Sequence, residues 1–379
     1  MLNLVADENM PAVEALFGDF AKVTRLAGRQ MQAGDLANAD ILLVRSITSV
    51  NESLLAKAEQ LKFVGTATIG IDHLDTHALE RRAIQYTNAP GCNADAVVDY
   101  TLSGIYKDAQ VRGQNLSELC FAVVGCGQVG SRLLERLRAL GHKPLSCDPF
   151  RADEPGFQHT PIDEVVCKAD VICLHTPLTK QGEEPSEHLL NESRLRQLKT
   201  NALLLNAGRG AVIDNAALLR VATERPDLVL ILDVWEHEPS VNLQLAQRCF
   251  IATPHIAGHS IDDKLRGTWM LYDQVCKSFG IEQRFKLEDI LPAPRILGVT
   301  LAEDAEPHRL LQLVYDQWAD DRRFRASLVA DSSQQRSNFD QLRKSYPYRR
   351  EFAALRIAVA SAAQQAELMA MGFQVELQS

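Results

Sequence analysis

Three short stretches of this sequence set charged or titratable side chains directly behind apolar runs. Leu203-Leu204-Leu205 leads through Asn206-Ala207-Gly208 to Arg209; Leu230-Ile231-Leu232 leads to Asp233 and Glu238; Ile251-Ala252-Thr253-Pro254 leads to His255. A guanidinium binds a carboxylate through two parallel hydrogen bonds and polarises a carbonyl forming beside it. An imidazole titrates near neutral pH, so it can take up and return a hydroxyl proton. A carboxylate next to the ring orients it and stabilises its protonated form. Arg209, Glu238 and His255 therefore suit the removal of a proton and a hydride from a hydroxyl-bearing carbon beside a carboxylate, with no metal needed.

A hydride needs an acceptor, and the chain carries a loop that fits one. Gly125-Cys126-Gly127-Gln128-Val129-Gly130 follows the apolar run Leu119 to Val124 and opens the amphipathic stretch Ser131 to Leu137. In a strand–loop–helix of this kind the first glycine turns the chain and the second lets backbone approach a pyrophosphate. The third glycine lets helix and strand pack closely. Gln128 and Val129 belong to this loop, and the helix N-terminus that follows favours an anion. Asp148 ends the next apolar run, where an acid accepts from ribose hydroxyls and repels a 2′-phosphate. That points to NAD over NADP, although Arg151 nearby could receive such a phosphate. Thr176, in His175-Thr176-Pro177, ends a further run and is a cofactor contact by position. His175, His188, His237 and His259 show no partners at ligand spacing, so no metal site is expected. No Gly-x-Ser-x-Gly supports a serine nucleophile.

These residues must be placed by alternating strands and helices. Met1 to Glu8 reads as a first strand ending in acids, Ile41 to Val44 and Lys62 to Gly65 as buried strands, Ile84 to Thr87 as a further strand, and Asn93 to Arg112 as a long helix. Strands follow at Lys143 to Cys147, Val171 to Leu174, Ala202 to Leu205, Leu228 to Leu232 and Phe250 to Ala252. Apolar runs alternating with helical patterns signify βαβ units and parallel sheets. The expected fold is α/β: two doubly wound parallel-sheet lobes followed by a C-terminal α+β domain. Residues 1–95 and 260–288 form a substrate lobe, 96–259 a Rossmann-type cofactor lobe, and 289–379 a domain for assembly. Past Pro292-Ala293-Pro294 the texture turns polar, arginine-rich and aromatic, with no nucleotide loop.

Bulk properties narrow the function classes. A formal net charge of −9 disfavours a nucleic-acid partner. No apolar run is long enough to span a bilayer, and the first residues lack a signal-peptide pattern. The eight cysteines form no C-x-x-C pair, and a reduced cytoplasm is the expected setting.

In these motifs and their order, from the start to about residue 290, the chain resembles the D-isomer-specific 2-hydroxyacid dehydrogenases. The glycine loop, Leu174 to Thr179, Asn206 to Asp214, Asp233 to Pro239 and Pro254 to Gly258 carry the resemblance. It implies that Arg209 and Glu238 are catalytic and that His255 donates the proton in the reductive direction. It implies that Asp233 holds the nicotinamide amide, and that Ala207, Gly208, Arg209 and Gly258 contact the cofactor. Asp7 to Pro11, Val44-Arg45-Ser46, Val64 to Thr68, Ala89 to Ala94 and Tyr346 to Phe352 resemble one branch of the family. That branch implies a small phosphorylated four-carbon hydroxy acid touched by Ser46 and Thr68, and a tail that pairs subunits into a homodimer. His259 departs from it, standing where a substrate-facing tyrosine is expected.

A substrate anionic at both ends needs more than one arginine. Arg45 is the expected phosphate ligand, and Arg349 or Arg350 of the tail could close the same pocket from a second copy of the chain. Two other readings stand beside this one. They are a shorter phosphorylated acid as substrate, and a cofactor-sensing corepressor with the same fold.

Overall fold

In the computed structural model, which describes residues 1–378, the chain divides into two compact units: residues 1–93 with 260–293, and 94–259 with 294–378. The first unit holds β1 (Leu2–Asp7), β2 (Ala21–Leu26), β3 (Ile41–Val44), β4 (Phe63–Thr66) and β5 (Gln85–Thr87). They form one parallel sheet in the order β2-β1-β3-β4-β5. β3 and β4 are buried along their whole length, as strands covered by helices on both faces must be. β2, Ala-Lys-Val-Thr-Arg-Leu, lies at the sheet edge with alternating exposure, and its mixed composition explains why no apolar run announces it. The helix Ile261–Phe279 returns to this unit. A Ser260–Asp263 capping box starts it and Gly280, at φ +65°, ends it.

The second unit begins with the helix Ala94–Arg112, buried along most of its length. Its larger sheet contains β6 (Phe121–Val124), β7 (Leu145–Cys147), β8 (Val171–Leu174), β9 (Leu203–Asn206), β10 (Val229–Leu232) and β11 (Ile251–Ala252). All pair parallel, in the order β11-β10-β9-β8-β6-β7. The strand order reverses beside β6, so ligand groups collect outside the C-terminal ends of β6 and β8. The arrangement is the doubly wound, Rossmann-type sheet expected from the alternating pattern.

The tail differs from its expected description. β12 (Val299–Leu301), β13 (Arg356–Val359) and β14 (Gln374–Leu377) form a three-stranded sheet, and all pair parallel. Helices cross over between them, so the α+β expectation gives way to a small α/β arrangement. Nor does the tail close its own core. Leu310, Tyr315, Phe352, Ile357 and Met371 share one apolar cluster with Val97, Tyr100, Leu133 and Leu137.

Leu204, wholly buried in β9, lies at the centre of that sheet. Leu204→Ala is expected to lower stability by about 2–5 kcal/mol, read as a lower urea midpoint. Leu297→Ala, at a side chain 76% exposed, is expected to stay within about 0.5 kcal/mol of the parent.

Candidate active site

β6 delivers the glycine loop. Gly125 sits at φ +83°, and a Cβ on it would stand 2.8 Å from the Thr176 backbone. A Cβ on Gly130 would stand 2.0 Å from the Gly125 carbonyl, whereas Gly127 faces open space. Gly127 precedes the helix Gln128–Ala139, and no side chain caps its first amides. Those N–H groups at Gln128 and Val129 are left for an anion. The loop is thus shaped to receive a dinucleotide pyrophosphate.

Asp148, just past β7, accepts from the Cys126 amide at 2.9 Å and from the Phe150 amide at 3.2 Å, which fixes its carboxylate beside the loop. Arg151 donates to the Cys126 carbonyl at 2.6 Å, to Ser131 Oγ at 2.8 Å and to Glu154 at 2.7 Å. Its Nε and Nη1 are engaged with the protein's own acceptors. Thr176 Oγ1 donates to the Val124 carbonyl at 3.2 Å, and the Ala207 amide donates to the Leu174 carbonyl at 3.2 Å. The ends of β6, β8 and β9 therefore meet, with Gly208 against the Thr176 backbone. Burial pushes the neighbouring His175 imidazole down to about 4, so it is neutral at physiological pH.

The same sheet brings the three catalytic candidates to its C-terminal end. His255 Nδ1 and Glu238 Oε1 are 2.5 Å apart, and the Trp235 amide donates to Glu238 Oε2 at 3.1 Å. Burial works to raise the Glu238 carboxyl, but the bond and charge of His255, the Trp235 amide and the charge of Arg343 outweigh it and hold it below its ordinary value. With Nδ1 bonded to the acid, Nε2 is the nitrogen left for proton transfer. Arg209 is exposed, makes one hydrogen bond, to the Gly208 carbonyl at 2.9 Å, and has no ion pair among the described residues. It is available to a carboxylate.

His255 adopts φ +57°, a left-handed conformation that disfavours residues bearing a side chain. Asp233 enforces it. Its Oδ1 accepts from Thr253 Oγ1 at 2.6 Å and from the Ile256 amide at 2.8 Å, and its Oδ2 accepts from the Ala257 amide at 2.9 Å. The Asp233 carbonyl accepts from the His255 amide at 2.7 Å. Burial raises the Asp233 carboxyl above its usual range, while the His255 charge and these donors oppose the rise. Both oxygens of the residue that the resemblance gives to the nicotinamide amide are thus bonded to the histidine loop. Tyr100, which no motif signalled, meets Thr253 Oγ1 at 2.8 Å from the helix Ala94–Arg112. Gly258 and His259 follow, half-buried, and the His259 ring meets Tyr346 edge-on at 5.4 Å.

Two expectations need correction here. Arg349 is 5% exposed and donates to the Ala257 and Ala96 carbonyls at 3.0 and 2.7 Å, so it does not offer itself to a substrate phosphate. Arg350, half-buried, lies 3.4 Å from the Tyr348 hydroxyl. His188 is not partnerless: its Nε2 is 2.6 Å from Glu236, and with Asp214 they form a group whose ligand atoms lie within 4.8 Å. Sequence spacing could not show this, because distant segments supply the three. Both acids already have backbone partners, Glu236 the Asn215 amide and Asp214 the Ala217 amide.

In the first unit, Ser46 is exposed just past β3, in the turn closed by the Thr48 amide on the Arg45 carbonyl at 3.1 Å. Thr68 Oγ1 lies 2.8 Å from Thr66 Oγ1 and donates to the Gly70 carbonyl at 3.0 Å. Arg45 is half-buried and has no ion pair among the described residues. Lys264 is held below its usual range, first by burial and then by repulsion from Arg45, against the pull of Asp263. Burial pushes Asp263 up to about 6.

A dinucleotide loop, an Arg–Glu–His set at the ends of parallel strands and a second α/β unit define a nicotinamide-dependent dehydrogenase of hydroxy acids. A family model described as D-isomer specific 2-hydroxyacid dehydrogenase, NAD binding domain, matches residues 93–257. A second, described as a domain of unknown function, matches residues 290–372. The chain belongs to the D-isomer specific 2-hydroxyacid dehydrogenases, and its cofactor is NAD. Within that family it is 47% identical to the erythronate-4-phosphate dehydrogenase of Pseudomonas aeruginosa over 380 positions, spanning 99% of this chain and 100% of the relative. The Pseudomonas savastanoi protein of the same name is 47% identical over 94% of each chain. Among solved structures, a D-lactate dehydrogenase from Aquifex aeolicus complexed with NAD and lactic acid is 26% identical with a TM-score of 0.57. It matches 73% of this chain and 96% of its own. A 3-phosphoglycerate dehydrogenase from Entamoeba histolytica shares the fold at a TM-score of 0.61 and 24% identity, over 75% of this chain and 98% of that one.

Gly130→Ala is expected to raise the dissociation constant for NADH at least tenfold, by driving a Cβ into the Gly125 carbonyl; titration of cofactor fluorescence reads it. Asp263 gives a pH signature. Its folded carboxyl holds its proton past the point where an unfolded chain releases it. The stability it lends is complete below the ordinary carboxyl range and lost as pH rises through about 6. Asp263→Asn should therefore melt higher than the parent at pH 8, with the difference vanishing near pH 4.

Proposed function

We propose that this protein oxidises 4-phospho-D-erythronate to 2-oxo-3-hydroxy-4-phosphobutanoate with NAD, a step toward pyridoxine 5′-phosphate, as a cytoplasmic homodimer paired through its tail. The observation that carries the chemistry is the 2.5 Å His255–Glu238 pair on the same sheet end as Arg209, a cation without an ion-pair partner among the described residues. The substrate assignment draws on the name of relatives 47% identical over nearly the whole chain.

Arg209 binds the substrate carboxylate and polarises the C2 oxygen. His255 Nε2 takes the C2 hydroxyl proton, and Glu238 stabilises the imidazolium through Nδ1. NAD held at the glycine loop would supply the hydride acceptor, so that loss of the hydride and the hydroxyl proton turns C2 into a carbonyl. In the reverse direction His255 returns the proton. Gly125, Gly127, Gln128, Val129 and Gly130 serve the pyrophosphate, Asp148 the ribose, and Thr176, Ala207, Gly208 and Gly258 the rest of the cofactor. Asp233 receives the nicotinamide amide. Ser46, Thr68, His259 and Arg350 contact substrate. Arg45 takes the phosphate, and Lys264, which feels the Arg45 charge, assists it.

Formation of NADH by the purified protein, compared across 4-phospho-D-erythronate, 3-phosphoglycerate and D-lactate, tests the reading. Preference for the four-carbon phosphate supports it. Turnover of only the others keeps the dehydrogenase and discards the substrate, and cofactor binding without turnover of any returns the corepressor reading. Arg45→Ala should raise KM for the phosphorylated acid about tenfold or more, since a charge-assisted bond contributes about 1.5–3 kcal/mol. His255→Asn should lower kcat by roughly 10²–10⁴.

A further inference from the structure

The catalytic histidine sits in a segment of six residues, 252–257, held at both ends by the tail. Three residues before His255, the Ala252 amide in β11 donates to Asp321 Oδ1 at 2.8 Å. β11 is an edge strand two residues long, so this amide has no strand partner, and the tail carboxylate supplies one. Two residues after His255, the Ala257 carbonyl accepts from Arg349 at 3.0 Å. The other arm of that guanidinium reaches the Ala96 carbonyl on the helix Ala94–Arg112 at 2.7 Å, and the group lies 3.7 Å over the Tyr315 ring. Asp320 fixes this ring, accepting from Tyr315 at 2.9 Å and from Tyr346 at 2.6 Å. Arg325 binds Asp321 at 2.8 Å and the Ala246 and Cys249 carbonyls, which places the first clamp.

We infer that Arg349 is a positioning residue for the acid–base step: it locks the carbonyl end of the loop that carries His255, so the tail serves catalysis within its own subunit. Asp233 holds the amides of residues 255–257 from one side, and Arg349 holds the exit of the same loop. The left-handed His255 needs both. Its backbone conformation is unfavourable, and such conformations persist only where surrounding contacts over-determine them. A loop freed at Ala257 can relax toward ordinary dihedrals, which swings the imidazole away from its working direction. Displacements of about 1 Å lower rates about a hundredfold. Only a planar fork reaches two carbonyls while stacking on a ring, so lysine is a poor replacement.

The inference rests on His255 being the acid–base group, and the experiment separates the two. Arg349→Met, close in volume and uncharged, is assayed with whichever hydroxy acid the protein turns over. The expectation is a fall in kcat of tenfold or more, with KM for NAD within twofold. In a His255→Asn background the same change should alter the residual rate less than twofold, because the loop then carries no acid–base group to misplace. An equal fold-loss in both backgrounds, or no loss in the parent, overturns the inference. A fully active His255→Asn overturns the acid–base reading and the inference with it. Hydrogen exchange gives a second readout that needs no substrate. The Ile256 and Ala257 amides should exchange faster in the variant while the segment 125–130 is unchanged, and unchanged protection at 256–257 overturns the inference. If the methionine variant does not fold, Arg349→Lys keeps the charge and one donor, and an intermediate loss confined to the His255 background is expected of it; parental rate and protection there overturn the inference.

Discussion

A single buried carboxylate organises the chemical end of this protein. Asp233 stands where β10 ends, and its two oxygens gather a hydroxyl and two amides of the next segment. A carboxylate out of water is unfavourable unless donors surround it, and here the donors all belong to the loop that carries His255. The charge and the loop therefore stabilise each other. Without Asp233 the loop amides lose their acceptor; without the loop the carboxylate has no compensation. The Glu238–His255 pair, the bond from Tyr100 to Thr253 and the indole of Trp235 on the Thr253 carbonyl at 2.9 Å are all built around that arrangement.

The parallel sheet makes the rest possible. Every strand of the larger sheet points the same way, so the loops after β6, β7, β8, β9, β10 and β11 emerge on one edge. The glycine loop, Asp148, Thr176, Arg209, Asp233 and His255 come from segments spread over more than a hundred residues, and this topology alone brings them to one edge. β11 is the weak member, short and at the border. The tail reinforces it by covering its free amide with Asp321 and its sequel with Arg349. Phe324 of the tail packs on Trp235 at 5.7 Å, so the floor of the site and the tail share a core.

Much of this was legible from the residues. β3, β8 and β10 are four-residue apolar runs, and strands buried on both faces must be continuous in that way. β2 was not legible, because an edge strand with Lys22, Thr24 and Arg25 carries no such run. The tail's texture marked a change near Pro292 to Pro294, and the compact units divide at 293. Composition could not show that its apolar residues fill the core begun by Val97 and Tyr100. Its helical crossovers likewise left no trace, because short strands with mixed exposure read as irregular chain.

The sequence by itself determined the chemical kit: a glycine loop with its acid, an arginine, a glutamate and a histidine, each behind its own strand. Local patterns suffice there because each part depends on a few adjacent residues and on a turn that only glycine can make. Only the tertiary structure decided which distant groups meet. It paired Glu238 with His255, bonded Asp233 to the histidine loop, gave His188 its Glu236, and turned Arg349 inward to the Ala257 carbonyl. Those choices follow from packing and from the need to pair every buried charge. Neither constraint has a period or a spacing that can be read along the chain.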